Sequence, residues 1–397
     1  MKKATLLLAL LMFAANFLFA QQNSFKRLDG SHISFADADS AITQLMRDGK
    51  VMGMGIAVLN NNKPVYIKTF GLKNNRSKEL LDTATVMYAA SLAKAVFAFT
   101  VMSLVQDGAM DLDKPLYQYL DKPIPEYDRY KDLAGDDRWR LITARMCLSH
   151  TTGFPNWRFL NAHTADYEEN GKLAIYFTPG SRYAYSGEGL DLLQMIVEKV
   201  TGKGLQQLAA EKVFVPAGMT RTAFVWQPTF EDNYADGHDD TGYVLFLKKR
   251  TRADAAGSMV TTVADYARFI TYVMQGKGLD KKARTTMLSS QIRINSKTQF
   301  PTITDDTTTS NDAIHLSYGL GWGLFKCKYG RAFFKEGHDD GWRHYVVNFP
   351  DKKISLLIMT NSANGEGIFK DLLEKLVGDV YTPWQWERYT PYDMIGK

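Results

Sequence analysis

Ser91 and Lys94, in Tyr88-Ala89-Ala90-Ser91-Leu92-Ala93-Lys94, stand three residues apart at the head of an apolar run that continues Ala95-Val96-Phe97-Ala98-Phe99. If that run is helical, both side chains share one face. The serine backbone N–H and the positive helix end can then hold a developing oxyanion. A neutral or hydrogen-bonded lysine can take the hydroxyl proton. That is the chemistry of a serine nucleophile. On spacing alone a helix-capping serine and a solvated lysine is the stronger reading. Tyr185, in Tyr183-Ala184-Tyr185-Ser186-Gly187, reads by itself as a core aromatic ahead of a capping Ser186.

Gly-His-Asp-Asp occurs twice, at 237–240 and 337–340. Two histidines with several carboxylates are potential ligands of a hydrolytic metal site. The first copy, inside Tyr234-Ala235-Asp236-Gly237-His238-Asp239-Asp240-Thr241-Gly242-Tyr243, reads better as a hairpin turn, and no metal or organic cofactor is expected. His150, in Ser149-His150-Thr151, has the type of a general base but is assigned a structural role.

These residues need elements to hold them. Periodicity predicts a helix over 37–47, strands over 52–59 and 64–70 joined by a turn at Asn60-Asn61-Asn62-Lys63, and a helix over 91–105. Further helices are predicted at 144–149, 190–200 and 264–275 among irregular polar loops. Strands return at 319–326, 332–336, 345–349 and 354–359, followed by a helix over 368–377. This is an α/β (α+β) pattern: an antiparallel sheet built from both termini, flanked by helices, carrying a large helical insertion domain.

Four segments come in the order of one family: Ser91-Leu92-Ala93-Lys94, then Leu148-Ser149-His150-Thr151-Thr152-Gly153-Phe154, then Pro179-Gly180-Ser181-Arg182-Tyr183-Ala184-Tyr185-Ser186-Gly187, and last Ala255-Ala256-Gly257-Ser258-Met259 leading to Thr262-Val263-Ala264-Asp265. Over roughly residues 35–380 the chain resembles the serine hydrolases of the beta-lactamase and penicillin-binding-protein superfamily. The branch it is most similar to holds class C beta-lactamases, D-aminopeptidases, D,D-carboxypeptidases and related esterases. The resemblance implies a beta-lactamase/transpeptidase-like fold. It makes Ser91 the acyl-enzyme nucleophile, Lys94 its activator and Tyr185 the proton-transfer tyrosine of a Tyr-x-Asn motif. A phenol titrates near 10, so Tyr185 as a base would need a close cation such as Lys94 to lower its pKa.

Two departures bear on substrate. Gly187 stands where the family usually has the Asn whose amide binds the substrate acyl-amide, which argues against efficient beta-lactam hydrolysis. The third family motif, Lys-Thr-Gly or His-x-Gly on an edge strand, is matched to Gly337-His338-Asp339-Asp340-Gly341-Trp342. His338, Asp339 and Asp340 are then expected to line the pocket. Asp340 would offer a backbone N–H to the oxyanion and a carboxylate that favours an amine-bearing substrate. Shifting by one residue gives the glycine's work to Gly341 and leaves Asp340 in a turn.

The 397 residues, 45% hydrophobic and 23% charged with two cysteines, suit a globular protein of one large core or two lobes without disulfide staples. Two free thiols are expected. The net charge of +5, or +3 without Lys2 and Lys3, is too small and scattered to argue for nucleic acid as partner. Lys2-Lys3, an apolar run over 4–20 and Ala20 before Gln21 have the layout of a cleaved secretory leader, and no stable membrane span is expected afterwards. The expected organisation is a signal peptide at 1–20, a linker at 21–35, a hydrolase domain at 36–380 and an aromatic tail at 381–397. Within the domain, the sheet lobe takes about 36–90 and 315–380 and the helical lobe about 91–314. The expected function is an exported serine hydrolase acting on an ester, D-amino-acid amide or peptide. A beta-lactamase or D,D-carboxypeptidase is the alternative. A weakly catalytic binder of peptidoglycan fragments is another, although a binder has no chemical need of the Ser91, Lys94 and Tyr185 set. A metallohydrolase would be sensitive to chelators and indifferent to Ser91.

Overall fold

The computed structural model describes residues 23–394. The leader-like segment at 1–20 lies outside the described residues. Among those described, nine strands form one antiparallel sheet. In chain order they are β1 (Gly53–Asn60), β2 (Lys63–Asn74), β3 (Glu79–Leu80), β4 (Ile292–Arg293), β5 (Ser317–Tyr318), β6 (Gly323–Cys327), β7 (Gly330–Asp339), β8 (Trp342–Phe349) and β9 (Ile354–Thr360). Their order across the sheet is β4-β5-β6-β7-β8-β9-β1-β2-β3. The N-terminal strand β1 therefore pairs with the C-terminal strand β9, Ile56 opposite Ile358.

The central strands are near-continuous apolar runs because both sheet faces are covered. Every residue of β9 is buried. Alternate residues feed two cores. Ala57, Leu59, Val346, Leu357 and Met359 face the helical side. Met54, Ile56, Val58, Val347 and Ile358 face the side covered by α1 (Phe35–Asp48) and the helical turns at 365–377.

On the helical side lies α2 (Ala93–Gln106), entered through a 3-10 turn at Ala90–Leu92. Its sequence is apolar all round, the pattern of a helix surrounded by protein. Every residue from Ala93 to Leu104 is buried, Lys94 included. Two further helices matter to the site: α3 (Gly187–Thr201), capped by the Ser186 hydroxyl accepting from the Gly189 N–H, and α4 (Val263–Met274), capped in the same way by Thr262.

Two terminal segments are more integrated than their sequences suggest. Within the stretch expected to be a linker, Ser24–Lys26 pairs with His32–Ser34, and Phe25 is buried against Phe35 and Tyr66. The aromatic tail folds back onto the protein. Trp386 and Tyr389 are buried, and the Trp386 carbonyl accepts from the Gln299 N–H at 2.9 Å. Both cysteines are free, Cys147 buried and Cys327 partly so. Among the described residues no helix is long and apolar enough to cross a membrane.

Candidate active site

Three anchors hold the turn that carries Ser91. The Ala89 N–H donates to the Met259 carbonyl at 2.9 Å, Met87–Tyr88 pairs with Val260–Thr261, and the Tyr88 hydroxyl donates to the Gly257 carbonyl at 2.5 Å. This is the work of the Ala255–Met259 segment: it clamps the turn that carries Ser91. From the sheet, His344 on β8 bonds the Tyr88 carbonyl through Nε2 at 2.7 Å. Ala90, just before Ser91, has φ 46°, a left-handed conformation that a non-glycine residue keeps only where its surroundings impose it.

Lys94 Nζ lies 3.0 Å from Ser91 Oγ and donates to the Ala256 carbonyl at 2.5 Å. The helix around it is entirely buried, and that burial lowers its pKa to about 7; the charge of Lys335 pushes the same way. As a neutral amine it can accept the Ser91 proton while still donating to Ala256.

Tyr185 sits in the loop that leads into α3. It is placed through the Ala184 N–H, which donates to the His150 carbonyl at 2.8 Å, and the Ser186 N–H, which donates to His150 Nδ1 at 3.1 Å. The His150 ring lies 4.4 Å from that of Tyr185. Burial, reinforced by Lys335 and Lys94, holds His150 well below the usual histidine range. It is a neutral positioning residue.

The Tyr185 ring lies between two buried ammonium groups, Lys94 Nζ at 5.1 Å and Lys335 Nζ at 4.9 Å from its centroid. Lys335 Nζ donates to the Tyr185 hydroxyl at 3.2 Å and to Glu336 Oε1 at 2.7 Å. Tyr185 also shares a hydrogen bond with Ser91. The sequence-based expectation of a lowered phenol pKa is corrected here. Burial raises it well above 10, Glu336 adds to the rise, and the bond to Ser91 opposes it without reversing it. The group poised near neutrality is Lys94. Lys335 also titrates low through burial, although the contacting Glu336 carboxylate pulls it back.

Lys335 was missed in the sequence. Lys335-Glu336-Gly337 fits the first and third positions of Lys-Thr-Gly, three residues ahead of the register built on His338. Pairing of β6 with β7 stops at Phe334, so among the described residues the 335–339 stretch has a strand partner only in β8. Gly337 approaches the Ser91 turn so closely that a Cβ there would lie 3.0 Å from the Ala89 carbonyl oxygen.

The register built on the second Gly-His-Asp-Asp is corrected accordingly. The His338 side chain is 53% exposed and pairs with Glu366 at 3.2 Å. Asp339 Oδ1 accepts the Asp340 N–H at 2.8 Å, which occupies the amide proposed for an oxyanion, and the Asp340 residue is exposed. These three residues belong to the end of β7 and its turn. In the first copy both His238 ring nitrogens are used, Nδ1 with the Asn361 carbonyl and Nε2 with the Asn75 N–H, so that histidine is spent on the fold.

Gly187 opens α3, and its N–H donates to the Asn156 carbonyl at 3.0 Å and to Asn156 Oδ1 at 3.1 Å. The space an asparagine side chain would need is taken: a Cβ on Gly187 would lie 2.9 Å from an indole carbon of Trp157.

An antiparallel sheet built from both ends of the chain, with a serine, a low-pKa lysine and a tyrosine brought together beside it, has the groups that serine acyl transfer needs. Residues 38–378 match the beta-lactamase family, and the chain belongs to it. It is 23% identical over 328 residues to a penicillin-binding protein of Bacillus subtilis (strain 168), an alignment covering 75% of this chain and 65% of that one. It is 27% identical over 217 residues to esterase EstB of Burkholderia gladioli, covering 50% and 53%. The matches thus span between about half and two thirds of those relatives' length. Among solved structures, the octameric penicillin-binding protein homologue from Pyrococcus abyssi superposes with a TM-score of 0.69 at 21% identity, covering 88% of this chain and 80% of that one, and shares the fold.

Proposed function

We propose that this protein is an exported serine hydrolase that works through a Ser91 acyl-enzyme on an ester, a D-amino-acid amide or a small peptide, and that beta-lactams are poor substrates. The observation that carries the reading is Lys94 Nζ at 3.0 Å from Ser91 Oγ, in surroundings that leave the amine half neutral near pH 7. Ser91 Oγ attacks the substrate carbonyl and passes its proton to Lys94. The oxyanion is held by the Ser91 N–H and amides on the unpaired edge of β7. Tyr185, kept protonated by burial and bonded to Lys335, hands a proton to the leaving group and recovers one from the water that releases the acyl chain, while Lys94 returns its proton to the departing Ser91 Oγ.

Against beta-lactams stands Gly187, which offers no side-chain amide to the substrate acyl-amide. Similarity to an esterase supports the ester. The amine preference suggested by Asp340 loses its basis, because that carboxylate lies on an exposed turn. Export rests on the leader-like sequence at 1–20.

The test is a panel of a p-nitrophenyl ester, a D-alanyl anilide and a chromogenic cephalosporin. We expect kcat/KM for the cephalosporin roughly 10²-fold below that for the best acyl substrate, the size of one lost recognition hydrogen-bond pair in a dry pocket. Comparable turnover of the cephalosporin overturns the substrate assignment.

Lys335 supplies a second check. Its charge lowers the Lys94 pKa, so Lys335→Met should let that pKa rise and move the rising limb of the kcat/KM pH profile to higher pH. A limb that stays at pH 7 or moves to lower pH contradicts the assigned coupling.

A further inference from the structure

The Gly187 departure has a structural counterpart 30 residues earlier in the chain. The start of α3 grips the loop Asn156-Trp157-Arg158 from both sides of the indole. The Gly187 and Glu188 amides donate to the Asn156 carbonyl at 3.0 and 3.1 Å. Beyond the indole, the Glu188 carboxylate, buried in the protein, accepts from the Arg158 backbone N–H at 3.2 Å and from its guanidinium at 2.9 and 2.7 Å. The same guanidinium donates to the Arg129 carbonyl at 2.6 Å, and Arg129 in turn pairs with Glu188 and Asp191. Burying an ion network of this kind costs desolvation, which its hydrogen bonds must offset, and what it fixes is the placement of one side chain.

That side chain is Trp157. Two of its ring carbons occupy the space that any side chain at 187 would enter, 2.9 and 3.0 Å from a Cβ there. Its ring centroid is 5.9 Å from Lys94 Nζ, so it stands beside the nucleophile. Its outer neighbour is Phe159, stacked on it with centroids 5.7 Å apart and planes at 10°, and 44% exposed. Two stacked apolar rings, the inner one beside Lys94 and the outer one open to solvent, thus sit on a segment locked by buried ionic contacts. An exposed ring pair gains free energy when a further apolar surface covers it.

We propose that Trp157 and Phe159 form the wall that receives the acyl group of the substrate, so that the enzyme selects a ring-bearing or otherwise apolar acyl chain. Trp157 takes the place of an amide at 187, and recognition by ring faces takes the place of recognition by hydrogen bonds. The inference deepens the Ser91 acyl-enzyme reading and rests on it. Glu188 and Arg158 act as positioning residues for the indole.

The experiment compares kcat/KM for p-nitrophenyl phenylacetate and p-nitrophenyl acetate in wild type, Trp157→Ala, Trp157→Phe and Phe159→Ala, with fluorophosphonate labelling of Ser91 measured on each. An apolar pocket discriminates by roughly 10- to 200-fold per group it accommodates. The wild type should therefore prefer phenylacetate by about tenfold or more. The ratio should fall to near one in Trp157→Ala and fall in part in Phe159→Ala, a surface change that leaves the fold intact. Trp157→Phe should restore most of it. A purely structural tryptophan would lower both rates and leave the ratio alone. A wild type that labels at Ser91 without preferring phenylacetate, or a preference that survives in Trp157→Ala and Phe159→Ala, overturns the wall and leaves the nucleophile standing. A folded wild type that does not label at all overturns both.

Discussion

Ser91→Ala should reduce kcat for the best ester by about 10⁴- to 10⁶-fold, the loss seen when a covalent nucleophile is removed from a preorganised site. At room temperature that corresponds to roughly 5–8 kcal/mol of transition-state stabilisation. The fold should survive. Ser91 lies in a 3-10 turn held through the Ala89 N–H, the Tyr88 backbone and the His344 ring, none of which uses the serine hydroxyl. Circular dichroism and thermal melting should match the wild type, which separates loss of chemistry from loss of structure. A variant that is folded and keeps turnover within tenfold of wild type would mean that Ser91 is not the nucleophile.

Lys94→Met should cost about 10²- to 10⁴-fold in kcat/KM, the range for a lost general base. In the wild type, kcat/KM should rise with pH and level off, with a midpoint near 7. Burial has moved the Lys94 pKa down to about 7, and the competent form is the deprotonated amine. Below the midpoint the ammonium cannot take the Ser91 proton; above it the amine is free to do so. The methionine variant should lose this limb. Lys94→Arg separates two roles: it preserves the positive charge but does not deprotonate in this range, so it should be as inactive as methionine. Activity in Lys94→Arg within tenfold of wild type would assign Lys94 to charge stabilisation and leave the base elsewhere.

Much of this architecture is legible in the chain because the signals are local. Short apolar strand runs at both ends, the apolar run from Ala93 and the Ser-x-x-Lys spacing are short-range patterns, and the order of four segments identifies the family. What was not legible depends on contacts between distant segments. The phenol of Tyr185 is pushed up rather than down because the folded chain buries it, and spacing carries no information on desolvation. Lys335 had a signal, a lysine two residues before Gly337. The repeated Gly-His-Asp-Asp drew the register three residues too far, onto side chains that the end of β7 turns toward Glu366 and solvent. The meeting of Trp157 with Gly187 joins a loop to a helix start and has no local trace. Where the aromatic tail packs could not be read from the chain because its partners, among them Gln299 and Ser296, come from a segment some ninety residues earlier.

The most direct test of the account is acid-quench mass spectrometry during ester turnover, with peptide mapping of the quenched protein. A Ser91 acyl-enzyme predicts a mass increase equal to the acyl group, carried on the peptide containing Ser91, absent from Ser91→Ala and formed more slowly below pH 7, where the neutral Lys94 that takes the Ser91 proton is scarce. Turnover at full rate with no adduct on that peptide, undiminished in Ser91→Ala, would contradict it.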